Sequence, residues 1–131
     1  MRALLTVNLL ILSASLLFVA CKKPSQHDLV RAAAERYYGY LVDGNVDAYV
    51  RGLHDYDCLS EDYRRQLCDM FTQYLWDEQH KHKGLYSVRA VNDTIIDDQY
   101  AHVFVSIQFG DSTYEEVLLP LVLTPDGWRL K

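Results

Sequence analysis

Cysteine is scarce in this 131-residue chain, which has three, at positions 21, 58 and 68. No Cys-x-x-Cys pair occurs and no partner base is evident, so a redox or nucleophilic thiol has little support. Proline is equally rare, and each of the three has an assignable place: Pro24 in a short polar tether, Pro120 inside a strand and Pro125 in a turn. Long basic runs are absent. Without its first 20 residues the chain loses Arg2, leaving 12 basic against 18 acidic side chains and a net charge of −6. Such a balance with no basic patch argues against a nucleic-acid partner. There is no internal repeat and no low-complexity tract, and the length suits one domain.

What is present begins with an apolar run. Met1 and Arg2 lead into residues 3–20, apolar but for Thr6, Asn8, Ser13 and Ser15, and the run stops at Cys21. A charged start, a greasy middle and a small residue near the end describe a secretory signal peptide. A transmembrane helix is the alternative, since eighteen residues at about 1.5 Å each span roughly 27 Å. Leu17, Phe18, Val19, Ala20 and Cys21 resemble a bacterial lipobox, with Phe18 where leucine is usual. That resemblance implies cleavage before Cys21 and lipid (palmitate among its acyl chains) on it. Residues 1–20 are then a signal peptide, 21–26 a lipidated tether and 27–131 the domain.

Ser25 followed by Asp28 reads as a capped helix start. Leu29, Ala33, Tyr37, Leu41 and Val30, Ala34, Tyr38, Val42 form two adjacent rows at i, i+4, a broad stripe for packing on a sheet. Asp43, Gly44 and Asn45 stop this helix. A short second one, about residues 46–51, is capped by Asn45 and ends at Gly52. Ser60 caps a long third helix with Glu61 and Asp62 in its first turn and His80, Lys81, His82 and Lys83 in its last, an order that suits the helix dipole. Its expected buried row is Tyr63, Leu67, Met70, Phe71, Tyr74 and Leu75. Beyond Gly84 the period changes to two. Ala101, Val103, Val105, Ile107 and Phe109 alternate with Tyr100, His102, Phe104, Ser106 and Gln108, and Val117, Leu119, Leu121 and Leu123 repeat the pattern. Strands are expected over 85–96, 99–109 and 113–124, with Asp97–Asp98, Gly110–Ser112 and Pro125–Gly127 as turns and Trp128–Leu130 as a short fourth. Pro120 implies a bulge or an edge position.

The expected fold is therefore α+β, with three N-terminal helices packed on a curved antiparallel sheet of about four strands. This order, ending in Asp126, Gly127, Trp128, Arg129 and Leu130, resembles the nuclear transport factor 2-like (cystatin-like) superfamily. More narrowly it is similar to small lipoproteins of Bacteroides-type bacteria with a lumazine-binding-like domain. The resemblance spans about residues 27–131 and implies a bent sheet wrapping helices into a cone whose open end often forms a pocket. Larger members place extra strands between the second and third helices. Here that gap is only residues 53–59.

Candidate sites follow. Cys58 and Cys68, ten apart in an exported chain, could close a disulfide loop worth up to about 3 kcal/mol, or stay two buried thiols. His54 with Asp55 and Asp57 is the best polar cluster for acid–base work, against a solvated turn. His80 and His82 have no further metal ligands in view, so no metal or other cofactor is expected. Ten tyrosines crowd the domain, eight of them between Tyr37 and Tyr86, and Tyr37, Tyr38, Tyr63 and Tyr74 with His54 are the candidates for a pocket or interface, against a core rim. Glu115 and Glu116 read as one solvent-facing and one edge carboxylate. Asp93-Thr94-Ile95 and Asp111-Ser112-Thr113 resemble the O-glycosylation acceptor of Bacteroides-type bacteria, with Ser112, in a turn, favoured over Thr94.

No catalytic residue can be named. The expectation is an envelope lipoprotein whose domain binds a small ligand or an envelope protein, leaning away from an enzyme. The alternatives are an isomerase or dehydratase type of enzyme and an immunity or assembly subunit acting through Tyr100, His102 and Phe104. With Lys22 and Lys23 after the cysteine, neither the aspartate that by resemblance retains a lipoprotein at the inner membrane nor the acidic tether of surface export is present. The periplasmic face of the outer membrane is therefore expected. A homodimer through the sheet is compatible with the resemblance.

Overall fold

Ser25 opens the first helix, α1 (Gln26–Val42), by a reciprocal cap in a computed structural model that describes residues 22–131. The expected signal peptide, residues 1–20, and Cys21 lie outside the described residues. The Ser25 hydroxyl accepts from the Asp28 N–H at 3.2 Å, and the Ser25 N–H donates to Asp28 Oδ2 at 3.1 Å. Asp28 thus serves where the usual box has Glu or Gln. Helix α2 (Val46–Arg51) starts at Asn45, whose Oδ1 accepts from the Ala48 N–H, and a 3-10 turn follows at Tyr56–Cys58. Ser60 caps the 22-residue α3 (Glu61–His82), which stops where Lys83 and Gly84 take left-handed φ values of 61° and 81°.

Four antiparallel strands complete the chain in the order β1 (Leu85–Ile96), β2 (Tyr100–Phe109), β3 (Tyr114–Thr124) and β4 (Gly127–Leu130). Asp97 and Asp98, both left-handed, make the first hairpin turn. Two register shifts interrupt β1, at Leu85/Ser87 and Ala90/Asn92, and bulges of this kind bend a strand. Pairing of β2 with β3 runs unbroken past Pro120. The Pro120 carbonyl accepts from the Lys131 N–H on the β4 side, so the missing proline N–H faces the place where β4 ends. Pro120 is an edge position rather than a bulge.

The core is one sheet face under α1. Ala101, Val103, Val105 and Ile107 are wholly buried, joined by Phe109, Leu119 and Leu121. Val30, Ala33, Ala34, Tyr37, Tyr38 and Leu41 cover them from α1. Two alanines side by side let the helix come close, which brings it nearest β1. Leu29 and Leu123, expected inside, are exposed because the helix start and the strand end run past the covered area. Helix α3 departs further from expectation. It has no fully buried residue, and Tyr63 and Met70 are 48% and 54% exposed. Only Leu67, Phe71, Tyr74 and Leu75 of its expected row are half-buried, because α3 leans on α2 and the sheet rim instead of lying on the sheet.

The expected disulfide is absent, and Cys58 and Cys68 are free thiols. Cys58 ends the 3-10 turn, while Cys68 sits two turns into α3, about 12 Å along the axis from Ser60. A disulfide requires Cα atoms about 4.4–6.8 Å apart, which this separation along a rigid helix opposes. Burial, with Asp47 and Asp69 nearby, pushes the Cys68 thiol above its ordinary value, so it stays protonated at neutral pH.

Helix α1 is fastened along β1 by side chains 62 and 66 residues apart in sequence. His27 Nδ1 and Arg31 Nε both bond to the Asp93 carboxylate, whose side chain is 1% exposed. About one turn on from Arg31, Glu35 Oε1 accepts from the Ala90 N–H at 2.9 Å, beside the bulge. Burial alone would raise the Asp93 carboxyl, but the bonds from His27 and Arg31 hold it below the ordinary value of 3.8. A depressed carboxyl lends stability above its unfolded value and loses it as pH falls through the folded one. Chemical denaturation should therefore show stability falling below pH 3.8. Asp93→Asn should flatten that decline and cost about 2 kcal/mol at neutral pH; an unchanged urea midpoint would show that the clasp holds nothing.

Candidate functional site

Strand β4 pairs with β3 only from Leu121 to Thr124, so Tyr114–Leu119 of β3 keeps a free edge. Helix α3 stands over that edge without closing onto the sheet. The gap is a cleft of about 360 Å³. Its walls are Tyr38 from α1, Tyr49 from α2, and Phe71, Tyr74 and Glu78 from α3. Its floor is Glu115, Val117 and Leu119, the inward row of β3, with Leu118 and Pro120 at the edge.

The rings form a connected wall. Tyr38 and Tyr49 meet edge to face with centroids 6.3 Å apart, and Tyr49 meets Phe71 the same way at 4.7 Å. The Tyr38 and Tyr74 hydroxyls are hydrogen-bonded to each other at 2.9 Å. Burial and the Tyr74 contact push the Tyr38 hydroxyl far above the ordinary tyrosine value. Burial pushes Tyr49 to about 12, and burial also raises Tyr74. All three are neutral hydroxyls at physiological pH. Glu78 Oε2 is shut off from solvent with no hydrogen-bond partner among the described residues.

Of the candidates named from sequence, the structure brings together Tyr38 and Tyr74 alone. Tyr37, one residue from Tyr38, points to another side of α1 and is buried, its hydroxyl donating to the Trp128 carbonyl at 3.1 Å. Its ring lies so close to Gly52 that a Cβ there would sit 2.6 Å from ring carbons. Tyr63 is out in solvent. His54 is pinned to the chain end: its N–H and its Nδ1 both approach the Leu130 carbonyl, at 2.8 and 3.2 Å, and Asp55 lies 4.0 Å off. That bonding continues a parallel bridge between Leu53 and Leu130, so the loop after α2 extends β4 rather than forming a site.

His80 packs its ring on Trp76, and His82 Nδ1 meets Asp111 Oδ2 at 2.9 Å. Asp111 also accepts from the Thr113 hydroxyl and N–H. These bonds, with that from His82, hold its carboxyl at about 2 and lock the β2–β3 turn to the end of α3. Ser112 is exposed in that turn, and Thr94 is exposed on β1. Among the described residues no group of three or more His, Cys, Asp or Glu side chains is placed to hold a metal ion.

A second hollow, of about 410 Å³, lies between α1, α2 and β4 and is lined by Arg36, Arg51 and Arg129. Its guanidinium groups are already engaged: Arg51 with Asp47 at 2.8 Å, Arg129 with the Arg51 carbonyl at 2.7 Å, and Arg36 over the Tyr37 ring. The tyrosine cleft is the better site, since its rings are held by the fold and its polar groups are not used up.

Sequence reasoning left Tyr49, Phe71, Glu78 and Glu115 out of the site. Only their types were visible, because the cleft joins four elements that sequence spacing does not relate.

No protein-family model and no curated protein matches the chain. Among solved structures it is similar to one titled a putative NTF2-like transpeptidase from Campylobacter jejuni, with a TM-score of 0.59 at 17% sequence identity. The match covers 74% of this chain and 92% of that one. Three helices against a curled four-stranded antiparallel sheet are the NTF2-like fold, and at this identity the likeness speaks to fold alone.

Ultraviolet titration gives a direct check on the cleft. Of the ten tyrosines, Tyr38, Tyr49 and Tyr74 should fail to ionise near pH 10, the ordinary value, while the chain stays folded. Because the folded state retains those protons, stability should fall as pH rises past 10. Ionisation of all ten tyrosines with a midpoint near pH 10 in a folded protein would mean that the cleft is wet throughout.

Proposed function

We propose that this protein is a lipid-anchored envelope protein whose NTF2-like domain binds a small ligand with an aromatic or apolar body in the Tyr38–Tyr74 cleft. The observation that carries this reading is the connected ring wall over the free edge of β3. A volume of about 360 Å³ lies within the usual range for small-molecule sites. Rings held by edge-to-face contacts provide apolar surface without further ordering cost, and the hydroxyl tips orient what enters.

The anchor is Cys21, carrying lipid after removal of residues 1–20. Four exposed residues, Lys22 to Ser25, link it to α1, a reach of about 14 Å when extended. The domain would thus sit close to the membrane, on the periplasmic face of the outer membrane in this reading, with α1 and the neighbouring Trp128 nearest the lipid.

A second reading is a proton-moving enzyme, favoured by Glu78 and Glu115 beside the paired Tyr38 and Tyr74 hydroxyls. Transpeptidase, the word by which the Campylobacter jejuni structure is titled, denotes chemistry that requires an activated nucleophile, and the hydroxyls of this cleft are tyrosines kept protonated by burial. A role in docking an envelope protein draws on the outward sheet face, where Tyr100, Phe104 and Leu118 are each exposed by more than a third.

Two variants test the proposal. Cys21→Ser should move the protein from the membrane to the soluble fraction without altering its folded domain. Val117→Trp should fill the cleft floor, abolishing the line broadening of aromatic fragments in ligand-observed magnetic resonance while circular dichroism still reports cooperative unfolding. Fragment binding unaffected by Val117→Trp would place the site elsewhere.

A further inference from the structure

The ring wall and the carboxylates of the cleft have to be considered together. Glu78 projects from α3 and Glu115 from β3, so acidic groups stand on both sides. No lysine, arginine or histidine is among the lining residues, and neither glutamate forms a salt bridge among the described residues. Their negative charge is therefore uncompensated within the site. Glu78 adds a sharper mark, since its Oε2 is dry and has no donor. A buried carboxylate oxygen without a donor is costly, and an ammonium entering the cleft would supply that donor.

The aromatic side of the site points the same way. Tyr38, Tyr49, Phe71 and Tyr74 present π systems whose faces are electronegative, and a cation within about 6 Å of such a face is attracted by it. Burial keeps the three hydroxyls neutral, so they add lone pairs that accept N–H donors without adding charge. An anion would meet two carboxylates and no cation. A neutral aromatic would fill the space but leave Glu78 as it is.

We infer that the cleft takes a protonated primary amine carried on an aromatic or apolar body, with the ammonium between Glu78, Glu115 and the tyrosine hydroxyls and the body against Phe71, Val117 and Leu119. This rests on the cleft-binding reading and names its ligand class. Three N–H donors match the acceptors present, and desolvation by the rings strengthens the charge pairing.

Calorimetry on the full lipidated chain in detergent at neutral pH, with 2-phenylethylamine and its uncharged isostere 2-phenylethanol, separates the possibilities. The amine should bind at least about tenfold more tightly than the alcohol. Glu78→Gln, which preserves shape, should erase most of that preference and leave the alcohol unchanged, and Glu115→Gln should reduce it in part. An alcohol that binds as well as the amine overturns the amine inference and leaves the cleft reading standing. Failure of both compounds to bind at millimolar concentration overturns the two together. A preference that survives in both glutamate variants assigns the cation to another place and overturns the inference as well.

Discussion

Everything in this molecule depends on how α1 lies across the sheet. One flank is tied to β1 through Asp93 and Ala90, and the other meets β4, where Trp128 Nε1 donates to Gln26 Oε1 and its carbonyl accepts from Tyr37. Small residues at 33 and 34 allow the close approach, and the wholly buried row of β2 lies beneath. A helix held at both flanks cannot roll, so adjacent residues acquire fixed and opposite duties. Tyr37 turns toward Gly52 and Trp128 and locks the chain end, while Tyr38 turns toward α3 and becomes a wall of the cleft.

With α1 laid across the sheet nearest β1, α3 is left to the rim. It touches α2 and half-buries only Leu67, Phe71, Tyr74 and Leu75. Its two ends are nevertheless fixed, by Ser60 at the start and by the His82–Asp111 contact at the finish. A long helix fastened at its ends but not pressed on the sheet leaves space below its middle, and the short β4 leaves the edge of β3 uncovered at the same place. The cleft is thus a consequence of topology. Its chemistry comes from which side chains happen to face it: rings, neutral hydroxyls and two carboxylates.

Much of the fold was legible along the chain. Ser25, Asn45 and Ser60 each precede a helix and each caps it, and the positive-φ glycines at 44 and 84 lie at helix ends. Alternation from Tyr100 to Phe109 gave the buried and outward rows correctly because both faces of β2 differ in composition. Pro120 could be read as an edge because a missing N–H has few places to go. The site was less legible. An apolar row on α3 says which face turns inward but not how far, so Tyr63 and Met70 were expected in a core they do not reach. The ten-residue spacing of Cys58 and Cys68 suggested a bond that the intervening helix opposes. Asp93 and Glu78 carried no local signal, since the partners of the first are more than sixty residues away and Oε2 of the second has none among the described residues.

Native mass spectrometry of the processed protein, released gently from its own membranes, tests the occupied cleft most directly. A chain lipidated at Cys21 and carrying a one-to-one adduct of a small basic organic molecule, lost on Val117→Trp, is the expected spectrum. A lipidated chain that flies bare under the same gentle conditions, or an adduct indifferent to Val117→Trp, would contradict the cleft as the functional site.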